Sequence, residues 1–430
     1  MFVRSALLAV VIAFGIAGCD KPTPENLDKW THTEKGPDKL KKAFGDDSLD
    51  PEISAHAAAN LVRMQQEGEV RKGFELMDKS RREAVIGKLA PKLWDMAKVD
   101  REDTVPSGGQ VNGKDMLVAI EKWAAPADKA TIDGYLVDWY GVKSYEARAE
   151  QGAHLGGEVM RLVGPAGGKK LVEVLNGLLA APGQDKTKNR IGDNLMLGIA
   201  ASGDPDGIKK LIEVARMDRG DPTLANRAMS ALWTAYVSPN GLFDLRAPDP
   251  LIPNLPLLAE VARDDKIDGA AANHAVDLIG AVGAPACIAP LVSMVAYPTS
   301  DPVVKYQGVN KAIRCAGVKG VKEAVEALPP SGAYDKADVT GAISGEIAKL
   351  QPKDQALAAA RDLLTSQNPV ARWVGVEALG AMKSTDDAAK VAALEGDKTK
   401  LTGYWGEGAS KPDPTLGDRA KEVATQLQAK

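Results

Sequence analysis

The chain has 430 residues, of which 44% are hydrophobic and 5% aromatic, and its net charge is -4. This length allows two or three domains or one repeat array, and the apolar content excludes a broadly disordered chain. The acidic balance indicates no basic surface, so we expect no nucleic acid among the partners. Few aromatic residues beside abundant small apolar ones favour close-packed helices over sheets.

The N-terminal segment 1–18 has the pattern of a secretory signal. Arg4 precedes an uncharged run of 14 residues from Ser5 to Gly18. A helix that crosses a bilayer needs about 20 apolar residues, so this run has the length of a signal peptide. Cys19 follows the run directly.

The four residues Ile16-Ala-Gly-Cys19 resemble the lipobox of bacterial lipoproteins. This resemblance implies that Cys19 receives a palmitate-containing lipid, that the membrane is a partner through this lipid, and that the protein lies in the cell envelope. Asp20 resembles the signal that retains lipoproteins in the inner membrane, which favours its periplasmic face over the outer membrane. The alternative is an ordinary signal peptide in which Cys19 is incidental.

The next segment, 19–38, is polar and contains three prolines. Its composition predicts a flexible tether between the lipid and the folded part. Beyond it, 39–187 is expected to be an irregular helical region.

A repeated pattern organises the rest of the chain. Four segments begin with Asp-Pro or Asn-Pro and then read alike, starting at Asp50, Asp221, Asp301 and Asn368. The first side chain can cap a helix, and proline fits at the first helical position. Seven residues later each segment has a small residue where a neighbouring helix must come close: Ala57, Ala228, Gly308 and Gly375.

Two further units start at Asp268 and Asp335 without the proline. From Asp268 onward the starts are spaced 33, 34 and 33 residues apart, and glycine-containing turns separate a first helix from a second. Such a period is typical of repeats that stack pairs of helices.

The segment 368–380 matches best and resembles the HEAT repeat family in its short, phycobilisome-lyase-type form. The resemblance covers about 50–394 and implies an all-α fold: a HEAT-like α-solenoid over 188–395 with a less regular helical N-terminal part. Arg372 stands where these repeats often carry an arginine, but the other units differ there. The segment 396–430 is expected to be a linker followed by a helix that caps the array.

The remaining cysteines, Cys287 and Cys315, are predicted to lie in adjacent repeats, at the start of a second helix and at the end of the next first helix. In an oxidising compartment an even number of cysteines suggests a disulfide. Two separate buried thiols are the alternative.

Two segments interrupt the repeat pattern. A proline-rich insertion spans 239–256 and carries the apolar residues Phe243, Leu245 and Leu251. Insertions in solenoids often lie at the binding face, so these residues are candidates for a partner surface. Alternatively, the insertion covers its own array.

The second irregular segment is aromatic. It contains Trp123, Tyr135, Trp139 and Tyr140, followed by Tyr145. Tryptophan and tyrosine are enriched at the centres of interfaces, which makes the first four a second candidate partner surface. Irregular helix packing around a core is the alternative.

Sequence motifs for catalysis, a metal or a cofactor are not recognisable, so none is predicted. The histidines lack the spacing of a helical zinc site, and His56 and His274 each stand six residues after their capping Asp, which indicates packing. We therefore expect a membrane-tethered scaffold that binds another envelope protein. The alternatives are an envelope enzyme with scattered site residues and a small-ligand or glycan-binding protein.

Overall fold

The computed structural model describes residues 21–102, 104–180, 191–217, 223–238, 245–296, 302–329, 339–400 and 414–429. These residues form 23 α-helices and two short 3-10 helices. Apart from one isolated antiparallel bridge between Lys400 and Thr415, the described part of the chain contains no β-structure. The all-α prediction is therefore confirmed.

The chain divides into two compact units, Met1–Gly198 and Ile199–Lys430. The predicted boundary at 187/188 lies outside the described residues. None of the helices in the described ranges is long and apolar enough to cross a membrane.

The helices of the first unit vary in length and follow no regular period. They are α1 (Pro24–Trp30), α2 (Gly36–Phe44), α3 (Pro51–Arg63), α4 (Glu67–Leu76), α5 (Lys79–Ala97), α6 (Gly108–Glu121), α7 (Pro126–Tyr140), α8 (Tyr145–Ala149), α9 (Gly156–Val163), α10 (Pro165–Ala180) and α11 (Asp193–Ser202), the last of which continues across the boundary. Helix α3 packs on α1, α2 and α5, and α5 in turn packs on α6. This unit is the less regular N-terminal part that the sequence predicts.

The start of this unit differs from the prediction of a flexible tether over 19–38. Residues 24–30 form α1, which Thr23 caps by accepting a hydrogen bond from the backbone N–H of Asn26. Leu27 and Trp30 share one face of this helix and are buried. Two well-placed apolar side chains are thus enough to dock a short helix whose composition is otherwise polar.

The second unit consists of paired helices. They are α12 (Pro205–Ala215), α13 (Leu224–Tyr236), α14 (Leu255–Arg263), α15 (Gly269–Val282), α16 (Ile288–Ala296), α17 (Pro302–Ala316), α18 (Val318–Glu326), α19 (Val339–Lys349), α20 (Lys353–Leu363), α21 (Pro369–Ala381), α22 (Ala388–Ala392) and α23 (Leu416–Gln428). The 3-10 helices η1 (Asp249–Asn254) and η2 (Thr385–Asp387) lie between them.

These helices form two layers. The first helices of the repeats, α13, α15, α17, α19, α21 and α23, each pack on the next in this series. The second helices α12, α14, α16, α18 and α20 do the same, and the two layers pack on each other. Stacking of equivalent helices in two layers defines an α-solenoid, so the predicted HEAT-like fold is confirmed for this unit. Helix α23 lies within the segment for which a terminal helix is predicted, and it packs on α21 and α22.

The predicted helix starts and close contacts are also confirmed where they are described. Side chains of Asp50, Asp268 and Asn368 accept hydrogen bonds from backbone N–H groups of the first turn at 2.8, 2.9 and 2.9 Å. A Cβ atom on Gly375 would lie 2.9 Å from the carbonyl oxygen of Ala360 on the preceding helix. The predicted caps at Asp221, Asp301 and Asp335 lie outside the described residues.

A disulfide joins Cys287 to Cys315, whose Cα atoms are 6.7 Å apart. Cys287 directly precedes α16, and Cys315 lies in the last turn of α17. The bond therefore connects a second helix to the first helix of the next repeat. Of the two alternatives that the sequence left open, the structure has the disulfide.

Candidate functional site

The aromatic segment of the first unit separates into core residues and partly exposed ones. Trp139 and Tyr140 at the end of α7 are 1% and 0% exposed, and Tyr145 on α8 is also buried. The rings of Trp139 and Tyr140 meet edge to face with centroids 4.6 Å apart. Because a partner cannot reach buried rings, Trp139 and Tyr140 belong to the core and not to a contact surface.

A charged pair, Lys114 and Asp115, lies within this aromatic core on α6. The ammonium group of Lys114 is fully buried and donates to Asp115 Oδ1, to the carbonyl of Gln151 at 2.9 Å and to the carbonyl of His154 at 2.8 Å. All three of its protons thus have an acceptor. Burial lowers the pKa of Lys114, while the adjacent carboxylate of Asp115 opposes this shift.

The carboxylate of Asp115 in turn holds the loop before α9. Its Oδ2 accepts a hydrogen bond from the backbone N–H of Ala153 at 2.7 Å, and its Oδ1 accepts one from the N–H of His154 at 3.2 Å. Gly152 has a φ of +86°, and a Cβ there would lie 2.3 Å from Asp115 Oδ2. The loop can therefore approach the carboxylate only with glycine at this position.

The phenol of Tyr140 completes the same cluster by donating to the carbonyl of His154 at 3.2 Å. Burial raises the pKa of Tyr140 well above its usual range, so its hydroxyl stays protonated. The lysine protons, the carboxylate and the phenol are all used in holding residues 151–154. This arrangement can clamp a loop, and its donors are not free for a substrate.

The other two aromatic candidates are partly exposed. Tyr135 stacks on Trp94 of α5 with ring planes 4° apart and centroids at 5.0 Å. The ammonium group of Lys122 lies over the ring of Trp123, 4.3 Å from the ring centroid. Trp123 and Tyr135 are accessible enough to contact a partner, and this role stays a prediction. Trp94 could not be predicted from the sequence, because the residues around it form no distinguishing pattern.

The turn of 3-10 helix in the proline-rich insertion, η1, packs against its own array. Leu251 in η1 is 0% exposed, and η1 packs on α12, α14 and α15. Asn254 donates to the carbonyl of Pro205 at 2.9 Å, which fixes the end of the insertion on α12. Leu251 is therefore a core residue and not a contact residue. Leu245 is 48% exposed, so its predicted role stays open, and Phe243 lies outside the described residues.

The layer of first helices in the second unit carries a series of polar contacts between neighbouring helices. Trp233 on α13 donates to Asp277 on α15 at 3.0 Å, and Asp277 pairs with Lys311 on α17 at 2.6 Å. The imidazole of His274 lies against the Trp233 ring, with centroids 5.1 Å apart. Burial lowers the pKa of His274, which agrees with the predicted packing role.

The series continues toward the C-terminal end of the unit. Arg314 on α17 binds both carboxylate oxygens of Glu346 on α19 at 2.9 Å. Arg419 on α23 likewise makes a bidentate contact with both carboxylate oxygens of Glu377 on α21. We call these contacts, from Trp233 to Arg419, the first-layer series. A sequence signal was present, because Asp277 and Glu377 both stand nine residues after their caps.

Arg372, the arginine at the position where HEAT repeats often carry one, makes contacts within the last repeat. Its guanidinium pairs with Asp397 at 2.9 Å and donates to the carbonyl of Ser366 at 2.9 Å. It thereby ties α21 to the turn before it and to the segment after α22. These contacts indicate a role in the geometry of the last repeat.

Comparison with known proteins gives no family assignment. No protein-family model matches the chain, and no curated protein matches it. Among solved structures, an engineered protein is similar over 91% of this chain and 99% of its own, with 15% identity and a TM-score of 0.32. A chain of the Pds5–Scc1 complex is similar over 94% of this chain and 64% of its own, with 10% identity and a TM-score of 0.33. The karyopherin Kap121p bound to the SUMO protease Ulp1p is similar over 93% of this chain and 42% of its own, with 11% identity and a TM-score of 0.30. TM-scores of this size do not establish a shared fold.

Proposed function

We propose that the protein is a lipid-anchored scaffold of the cell envelope that binds another envelope protein along its second unit. The observation that carries this proposal is the stacking of equivalent helices in two layers over Ile199–Lys430. Such stacking exposes long, continuous rows of side chains, which suit an extended protein partner better than a small substrate.

Two further observations support the proposal. Structural disulfides persist in oxidising compartments, and Cys287 is bonded to Cys315. The lipobox-like segment ending at Cys19 supplies an anchor, and Asp20 favours the periplasmic face of the inner membrane. More than one acyl chain on Cys19 would hold the protein stably at a bilayer.

Within the first unit, the cluster most similar to a catalytic site is the one around Lys114. Its donors and carboxylate are engaged with the loop 151–154. A buried lysine acts as a nucleophile when its ammonium can lose a proton and reach a substrate, and here the ammonium is enclosed and paired. This geometry supports a structural role and thereby favours the scaffold over the enzyme.

The test is a photo-crosslinking scan of the full chain in intact cells. A photoreactive residue is placed at exposed positions of the first helices, Lys349 and Glu422, and of the second helices, Lys322 and Asp354. We expect one discrete protein adduct from the layer that faces the partner and none from the other layer. Loss of that adduct in the Cys19→Ser chain would show that binding needs the anchor. Absence of a protein adduct at all four positions would overturn the scaffold proposal.

A further inference from the structure

The first described residues are held firmly against the first unit. Asp28 on α1 lies 2.6 Å from Nε2 of His56 and accepts a hydrogen bond from Nδ2 of Asn60 at 3.0 Å, and both partners are on α3. Leu27 and Trp30 are buried beside this polar contact. Helix α1 is therefore an integral part of the first unit.

The chain before α1 is also held. Nδ2 of Asn26 donates to the carbonyl oxygen of Lys21 at 2.9 Å, which fixes the backbone two residues before the Thr23 cap. The proposed lipid attachment residue Cys19 is four residues before Thr23. Four residues span at most about 14 Å when fully extended. The lipid and the folded unit must therefore be close neighbours.

The surface around α1 and α2 has the charge to meet an anionic bilayer. Residues 21–42 contain six lysines and four acidic residues, in a chain whose net charge is -4. Two of the four acids have partners within the protein, because Asp28 binds His56 and Asp38 lies 3.8 Å from Lys41. The remaining lysines include four that are exposed and have no ion pair in the described part of the chain: Lys21, Lys29, Lys35 and Lys42.

We propose that this surface, which we call the anchor-side surface and define by the exposed residues of 21–42, lies directly on the headgroups of anionic phospholipids. The proposal rests on the proposed lipid anchor at Cys19. The short connection brings the surface to the bilayer, and the exposed lysines meet the anionic headgroups. The first unit is thereby oriented on the membrane instead of moving freely on a tether.

The test attaches the lipid chemically, so that it does not depend on lipidation in the cell. The chain has three cysteines, and the disulfide occupies two of them, which leaves the thiol of Cys19 free. The chain beginning at Cys19 is coupled through this thiol to a maleimide phospholipid in vesicles of phosphatidylcholine, with or without phosphatidylglycerol. A photoreactive residue replaces Lys29 or Lys35, and phospholipid adducts are measured by mass spectrometry.

We expect phospholipid adducts at both positions in either kind of vesicle, with more adduct when phosphatidylglycerol is present. The matched control carries a 30-residue Gly/Ser insertion after Lys21. Because local concentration falls with tether length to about the power -3/2, its adduct yield in phosphatidylcholine should fall about 20-fold. Replacing Lys21 and Lys42 with Gln should reduce the increase caused by phosphatidylglycerol.

Absence of phospholipid adducts at Lys29 and Lys35 in the short-tethered chain would overturn the proposal, as would equal yields with and without the insertion. The proposed anchor has a separate test, the labelling of Cys19 in cells. If vesicles give adducts but cells do not lipidate Cys19, the anchor is wrong and the anchor-side surface is retained. If cells lipidate Cys19 but vesicles give no adduct, the lipid anchor is retained and the proposed contact of the anchor-side surface is wrong.

Discussion

The imidazole of His56 and the carboxylate of Asp28 lie 2.6 Å apart and join α1, the first helix of the described residues, to α3, the first repeat-like helix. The hydrogen bonds from Asn60 and His56 hold the pKa of Asp28 below its usual range, so this carboxylate stays charged at neutral pH. The contact shows that a segment with the composition of a tether is part of the folded unit. It also places the proposed lipid close to that unit.

The burial of Leu251 predicts a large effect of a small change in the insertion. Leu251→Ala should lower the free energy of unfolding by about 3 kcal/mol, because it removes buried methyl groups and leaves a cavity. The neighbouring Ile252 is 43% exposed, and Ile252→Ala should cost about 0.5 kcal/mol. Urea denaturation followed by circular dichroism measures both. Equal losses in the two variants would show that the insertion does not pack as described.

The buried pair of Lys114 and Asp115, which holds the loop 151–154, gives a second prediction. Lys114→Met leaves the buried Asp115 carboxylate without its cation and should destabilise the first unit by about 3–5 kcal/mol. Lys122→Met is the matched control, since Lys122 lies over the partly exposed Trp123 ring and its loss should cost about 1 kcal/mol or less. Thermal unfolding of the two variants compares them. A Lys114 variant as stable as the Lys122 variant would contradict the structural role of the pair Lys114–Asp115.

The disulfide predicts a redox-dependent stability. A closed loop of 28 residues contributes about 3.5 kcal/mol in the chain-entropy model, so replacing both Cys287 and Cys315 with Ala should lower the melting temperature. Dithiothreitol should lower the melting temperature of the unmodified protein similarly and leave that of the double variant unchanged. If dithiothreitol shifted both proteins equally, the bond would not be the cause.

The ion pair between Arg314 and Glu346 predicts an acid-dependent loss of stability. Hydrogen bonds from Arg314 lower the pKa of Glu346 from 4.5 to about 2. Because the folded pKa lies below the unfolded value, the stabilisation is present above pH 4.5 and is lost as the pH falls toward 2. Glu346→Gln should therefore be about 1 kcal/mol less stable than the unmodified protein at pH 7, and the difference should vanish near pH 2.

The control for this prediction is Glu323→Gln. Glu323 is exposed on α18 and has no ion pair among the described residues. Its substitution should leave the stability nearly unchanged across the same pH range. A pH-independent difference for Glu346→Gln would contradict the assignment of this stability to the ion pair.

The features that the sequence predicted correctly are local ones. An Asp or Asn before a helix and a small residue seven positions later have their effect within one helix and its nearest neighbour, as at Asn368 and Gly375. Their recurrence every 33 or 34 residues from Asp268 onward carries the resemblance to HEAT repeats, and this resemblance implied the α-solenoid. The pairing of Cys287 with Cys315 followed from the same register, although the sequence could not exclude free thiols.

The features that the sequence did not predict depend on distant partners. Helix α1 docks because Asp28 meets a histidine 28 residues later, and nothing near Asp28 indicates this. Lys114 is buried because the loop containing Gly152 brings two carbonyl groups to its ammonium. Leu251 resembled a loop residue because the prolines around it hid the turn of 3-10 helix that buries it.

One measurement tests most directly whether a lipid on Cys19 anchors the protein. The chain is purified from the membrane fraction of its host in detergent, digested, and its N-terminal peptide is analysed by mass spectrometry. We expect a peptide that begins at Cys19 and carries a diacylglycerol group on the sulfur, and no such peptide from the Cys19→Ser chain. An N-terminal peptide with an unmodified Cys19, or one that retains residues 1–18, would contradict the claim.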